Sequence, residues 1–249
     1  MDKRQRGVLD HVVFKTVSGS RSYGLNTPTS DEDTLGVFIP HPKNLLGVAD
    51  EVGKHYRGEE ADENYKIMPD FVRHARDGSS FWVEPLFVRE QDILVLEPVF
   101  QPFVDNRKLF LTQALVKKSL GFMQGMINRS KSQQSVPEAK DLSPEEQEAA
   151  LLKVKRKNMC HSVRVGNMIL EMLTELDLRV YRAEEKEHLL GIKTGLVSLE
   201  EAWEEAEALI IKIDEKKANV KLAEKADAEI LNNFLVSGLV EYWYKEKWI

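Results

Sequence analysis

Apolar residues cluster at Val12, Val13 and Phe14, and again at Leu35, Val37, Phe38 and Ile39, on either side of a polar stretch from Ser18 to Asp33. The pattern predicts a strand over residues 8–15, a short helix after Gly19 and Ser20, and a second strand over 34–40. Residues 50–63 are polar and Gly-bearing, which predicts a surface loop or hairpin. Ile67, Met68, Phe71, Val72 and Ala75 recur at helical spacing, so a helix is expected over 65–76, with Pro69 in its first turn and Gly78 as its stop. Residues 79–88 (SSFWVEPLFV) form a short apolar run that predicts a buried strand, with Glu84 as its one charge.

Beyond Gln91 the periodicity turns helical. Residues 106–128 read as an amphipathic helix, and residues 129–142 are polar and lack a core stripe. Ser143-Pro144-Glu145-Glu146 has the form of a capping box with proline in the first turn. The helix it starts carries an apolar stripe of Leu152, Met159, Val163, Gly166, Leu170 and Leu173. Residues 188–195 are expected to link it to another helix, opened by a second capping box at Ser198 and Glu201. A last helix is expected over 222–244. These elements predict an α+β protein: a sheet domain over residues 1–105 and an all-helical domain over 106–249.

The polar stretch between the first two strands carries the candidate chemistry. Asp31 and Asp33 are two apart, so on a strand they face the same side and repel each other unless a cation lies between them. Mg²⁺ commonly takes one or two protein carboxylates together with substrate phosphates. Gly19 permits a turn that brings backbone close to a phosphate, and Ser20 adds a hydroxyl. Either half alone is also a common turn or helix cap. Their order, strand, Gly-Ser, polar loop, Asp-x-Asp and strand, favours nucleoside triphosphate chemistry.

Those residues carry a family resemblance. SGSRSYGLNTPTSDEDTLGVFI resembles the signature of the DNA polymerase β-type nucleotidyltransferase superfamily. The fuller run of Tyr23-Gly24, Thr27, Ser30-Asp31, Asp33, Gly36 and Val37 is similar to its RNA-repair-pathway polymerase-β branch. The resemblance implies a metal-dependent nucleotidyltransferase that moves a nucleoside monophosphate from an NTP to an acceptor hydroxyl. Asp31, Asp33 and Glu84 would hold two Mg²⁺ ions, with Mn²⁺ as a substitute. Gly19, Ser20, Thr27 and Ser30 would bind the nucleotide. Lys157, His161 and Arg164 match a Lys-x-x-x-His-x-x-Arg arrangement in the branch's helical half, and would clamp the triphosphate or a polynucleotide. Pro85 departs from the branch, which usually has an aliphatic residue there. An RNA end is the favoured acceptor. A protein side chain, as in adenylylating relatives, and a small hydroxylated molecule are the alternatives, and a non-enzymatic nucleotide-binding module is the rival class.

Composition changes this picture little. The 249 residues are 31% charged and 42% hydrophobic, as in an ordinary globular chain. The net charge of −6 argues against a surface coated with nucleic acid but leaves room for one basic groove, since Lys and Arg concentrate at 107–118 and 153–164. One cysteine, Cys160, excludes an internal disulfide and a thiolate zinc cluster. The opening MDKRQRG has no apolar signal region and no run approaches a membrane span, so a cytoplasmic protein is expected.

Overall fold

The computed structural model describes residues 7–28, 30–48, 53, 55–58, 63–132 and 140–249. Its fold is mixed α and β, a five-stranded sheet near the N-terminus followed by helices. The chain forms two compact units, Met1–Leu115 with Ala223–Ile249, and Val116–Leu222. This differs from a division at 105/106, because the last stretch of chain returns to the first unit.

In the first unit the strands are β1 (Val12–Val17), β2 (Thr34–Phe38), β3 (His55–Arg57), β4 (Glu63–Ile67) and β5 (Ile93–Leu96), in the order β3-β4-β2-β1-β5. Among the described residues only β2 and β4 pair in parallel. Helix α1 (Gly19–Ser22) follows β1, and α2 (Pro42–Leu46) follows β2. On one face Phe38, Tyr56, Tyr65 and Ile67 form a core with Val8, against which Leu9, Val12 and Leu45 pack. On the other, Phe14 stacks on Phe100 at 4.5 Å and meets Phe71 edge-on. Phe71 belongs to α3 (Met68–Arg76), and Phe100 immediately precedes α5 (Gln101–Asp105).

Several expected elements come out differently; the first strand, expected over 8–15, starts at Val12, and residues 7–9 are helical. Residues 65–67 are strand, and the helix begins at Met68 with Pro69 in its first turn. Tyr65 and Ile67 are buried at a period of two, and they gain ladder partners in β2, a pairing no local pattern announces. The strand expected over 79–88 is absent. Ser80–Val83 is a helical turn (α4) and Glu84–Phe87 a 3-10 turn. Pro85 explains the choice: it has no N–H to give a ladder but fits the first turn of a helix. Strands β3 and β4 form an antiparallel pair in the region read as a loop or hairpin, while residues 49–52, 54 and 59–62 there lie outside the described residues.

Helix α6 (Gln113–Lys131) begins in the first unit and runs on into the second. The chain returns beside its point of departure: Gln113 and Ala114 N–H groups donate to the carbonyls of Ala223 and Glu224 at 2.9 and 3.0 Å. The final helix, here α10 (Ala228–Lys245), buries Tyr242 and Trp243, and Trp243 Nε1 donates to Pro40 O at 3.0 Å. Trp248, just beyond it, packs against the rings of His11 and His41.

The second unit is helical, with α7 (Pro144–Glu175), α8 (Lys186–Thr194) and α9 (Leu199–Lys217). Both expected capping boxes are formed, each worth on the order of 1 kcal/mol to its helix. Gly166 brings α7 close to its neighbours: a Cβ there would meet Met123 Cε at 2.7 Å and Leu209 Cδ1 at 2.9 Å. The segment read as a link over 188–195 is mostly the helix α8, closed by Gly195 at φ 92°. Of the polar excursion read over 129–142, residues 129–131 are the end of α6, and half of it, residues 133–139, lies outside the described residues.

Candidate active site

The register gathers one end of the sheet. Val17 pairs with Thr34, Thr34 with Glu63, and Thr16 with Ile93, so the C-terminal end of β1 meets the N-terminal ends of β2, β4 and β5. Gly19, Asp31, Asp33, Glu63 and Asp92 all belong to this end.

Asp31 and Asp33 precede β2 rather than lying on it. Ser18 N–H donates to Asp33 O at 2.9 Å, extending the β1–β2 pairing by one step. Gly19 has a left-handed backbone, φ 61°, and a Cβ there would stand 1.9 Å from Asp33 Oδ2. The Asp33 carboxylate therefore rests directly on the glycine of the turn. No other residue type permits both the conformation and the contact.

Arg21 ties the turn to the carboxylate loop. Its Nε donates to Asp31 O at 3.3 Å, its Nη2 donates to Ser30 O at 3.4 Å, and Nη2 stands 3.2 Å from Glu32 Oε1. Thr27 and Ser30, predicted to bind nucleotide, clasp one another. Thr27 N–H donates to Ser30 Oγ at 2.9 Å, Ser30 N–H to Thr27 O at 3.0 Å, and the two hydroxyls are 3.2 Å apart. Ser20 lies within α1, and its carbonyl accepts from Leu25 N–H at 2.8 Å.

Asp31 is exposed and Asp33 half-buried, and their hard oxygen donors fit Mg²⁺ held by two carboxylates and completed by phosphate and water. The expected set of three is not assembled. Among the described residues no three His, Cys, Asp or Glu side chains form a group that could hold a metal ion. Glu84 is buried on the 3-10 turn, so its selection as a ligand from a neighbouring strand loses its basis. Asp92 is held by Arg89, which donates to both its oxygens at 2.8 and 3.0 Å.

Glu63 was missed by sequence reasoning. It opens the strand parallel to β2, opposite the residue after Asp33, and Lys15 Nζ donates to its Oε1 at 2.8 Å. It stands in a polar stretch with no apolar alternation before it, and only the nonlocal pairing of β4 with β2 brings it here.

In the second unit Lys153, Lys157, His161 and Arg164, spaced four, four and three along α7, form a basic stripe that runs from surface to interior. Lys153 and Lys157 are exposed, His161 is half-buried and Arg164 is buried, with Nη1 4.0 Å from Met168 Sδ. Burial, reinforced by the charges of Arg164, Lys157 and Lys193, pushes the His161 pKa down to about 3, so it acts as a neutral imidazole beside the cations. Lys193, on α8, is a further member that sequence reasoning left in a linker. Burial likewise pushes the Cys160 thiol up to about 11, against the influence of Arg164 and Lys193. An inert thiol results.

A pH dependence follows. The unfolded chain protonates His161 near 6.5, whereas the folded one resists to about 3. Stability that is full above pH 6.5 should therefore fall as pH drops from 6.5 toward 3, by roughly 2 kcal/mol at pH 5. Thermal melts at pH 7.5 and 5.0 test this. His161→Gln should show the smaller loss; an unchanged pH slope would refute the assignment.

No helix among the described residues is long and apolar enough to cross a membrane. A search of curated proteins finds no match. Residues 3–70, which hold the turn, both aspartates and Glu63, match the family model RlaP, the RNA repair pathway DNA polymerase beta family, and so support the polymerase-β-like nucleotidyltransferase branch and a nucleotidyltransferase-like function in an RNA repair pathway.

Proposed function

We propose that this protein transfers a nucleoside monophosphate from an NTP to a hydroxyl at an RNA end, in a reaction that requires Mg²⁺ or Mn²⁺. The observation that carries this reading is the Asp33 carboxylate seated on the left-handed Gly19, with Asp31 two residues away. This joins a glycine turn to a pair of hard oxygen ligands. Bound at Asp31 and Asp33, divalent metal supplies acidification of the acceptor hydroxyl and neutralisation of the leaving pyrophosphate.

The chain's own groups have separate tasks. The Gly19-Ser20 turn offers backbone N–H groups and the Ser20 hydroxyl to the β- and γ-phosphates. The Thr27–Ser30 clasp and the Arg21 guanidinium hold the carboxylate loop in one conformation, so binding costs less ordering of the chain. In the second unit the exposed Lys153 and Lys157 provide positive charge for a polyanion, with Arg164 adding its charge from beneath the surface, and neutral His161 offers a hydrogen bond.

The test is transfer of label from each NTP, with Mg²⁺ or Mn²⁺, into a mixed pool of RNA and protein. Label in RNA is expected. RNA affinity should also fall with salt, with a logarithmic slope of about −0.7 per phosphate contact, and Lys153→Ala should flatten that slope. Label in protein instead, or RNA binding indifferent to salt, would move the acceptor to the protein or small-molecule class. No label anywhere would leave the nucleotide-binding module.

A further inference from the structure

Tyr56 on β3 and Tyr65 on β4 stand opposite one another and enter the core with Phe38 and Ile67. Alternation therefore sends His55, Arg57, Asn64 and Lys66 to the other face of the sheet. Lys66 agrees with this, since its Nζ lies 5.1 Å from the centroid of Trp82, whose ring meets Phe71 of the cluster on that face. On β1 and β2 the same face is apolar and covered, with Phe14, Leu35 and Val37 buried. On β3 and β4 it is polar: His55 and Arg57 are exposed, and Asn64 and Lys66 are half-buried. None of the four is a carboxylate, in a chain whose net charge is −6.

Asp33 belongs to this polar face. It extends the β1–β2 pairing one residue ahead of Thr34, and Thr34, Gly36 and Phe38 take the opposite side. Asn64 pairs with Leu35, two residues beyond Asp33, so at about 3.3 Å per residue and 4.8 Å per strand the Cα atoms of Asn64 and Asp33 lie about 8 Å apart. Arg57 stands opposite Asn64 on the next strand out, and Lys66 lies two residues farther along. Neither Arg57 nor Asn64 has a side-chain hydrogen bond or ion pair with another described residue. Asparagine is depleted in strands, and an unpartnered amide half-buried in one breaks a local rule that functional positions tend to break.

We propose that the β3–β4 part of this face is the track for the RNA end that accepts the nucleotide. This rests on the RNA-directed transfer proposed above. Arg57 and Lys66 meet backbone phosphates as the strand approaches Asp31 and Asp33, and Asn64 hydrogen-bonds a ribose 2′-hydroxyl. An amide carries both a donor and an acceptor, which suits a hydroxyl that gives and takes a hydrogen bond. The exposed guanidinium of Arg57 matches two phosphate oxygens at once. Lys66 lays its stem on Trp82 and keeps its ammonium for solvent or phosphate. With no carboxylate among the four, a polyanion meets no repulsion on this track until it reaches the aspartates, where metal offsets it.

The test is binding of the full chain to a short single-stranded RNA, and to DNA of the same sequence, across a salt series, beside binding of ATP with Mg²⁺. Arg57→Gln combined with Lys66→Gln should weaken RNA binding about tenfold at low salt and flatten the logarithmic salt slope by about 1.4, two contacts at about 0.7 each. ATP affinity should stay close to that of the wild type. Asn64→Leu should reduce the preference for RNA over DNA several-fold. Arg57 is exposed, so Arg57→Gln alone, with half the change in slope, decides the matter if the Lys66 variant does not fold. An unchanged RNA slope, ATP weakened as much as RNA, or an RNA preference indifferent to Asn64→Leu would overturn the assignment while leaving salt-dependent RNA binding through Lys153 intact. Wild-type protein that binds no RNA would overturn the RNA-directed reading as well.

Discussion

Asp33→Asn should reduce nucleotide transfer to background while the protein melts at or slightly above the wild-type temperature, and Asp31→Asn should do the same. The amide keeps the shape of the carboxylate, so packing on Gly19 survives and only the charge is lost. Two neighbouring carboxylates repel when no cation lies between them, and removing one relieves that repulsion. A metal ligand lost from a pair has no substitute within this loop, since Glu32 is engaged by Arg21. Initial rates at saturating Mg²⁺, together with thermal melts, give the answer. Near-normal turnover by either variant would end the metal-dependent reading, and a collapse of the fold would show that the carboxylates serve packing.

Gly19→Ala should be as damaging to transfer and should also destabilise the protein. A left-handed conformation costs a non-glycine residue roughly 1–2 kcal/mol. The new methyl group would also stand 1.9 Å from Asp33 Oδ2, so the carboxylate must leave its seat. Mn²⁺ affinity should therefore fall to the level of Asp33→Asn, while the melting temperature drops below it. Should the alanine variant bind Mn²⁺ like the wild type, the position of Asp33 on the turn would be irrelevant to metal.

How much of this was legible in the sequence depended on how local the determinants were. The β1–turn–β2 unit was readable because apolar strands, a left-handed glycine and a clustered polar loop lie within thirty or so residues of one another. The helix starts at Ser143 and Ser198 were readable for the same reason, as a capping box is complete in four residues. The misread run 79–88 was ambiguous, since a short apolar segment has no period long enough to separate strand from helix. Pro85 held the answer, as a residue suited to a helical first turn. Tyr65 and Ile67 were absorbed into the helical stripe that follows them, because what makes them strand is a partner some thirty residues away. Along α7 the family resemblance singled out Lys157, His161 and Arg164 but not their depth. Periodicity says which side of a helix a residue occupies; what covers that side decides that Lys157 meets water and Arg164 does not.

The return of the chain at Ala223, hydrogen-bonded to Gln113 and Ala114 where it left, orders events during synthesis. The helical unit is an insertion that is complete once Leu222 has emerged, and it can fold while the sheet unit is still lacking a part. Domains generally fold as they leave the ribosome, so here the unit that starts first finishes last. Until α10 arrives, the surfaces awaiting Tyr242 and Trp243 stay uncovered. A premature stop late in the message would thus spare the helical unit, whose residues precede it. The harm would fall on the sheet that carries the aspartates, two hundred residues upstream.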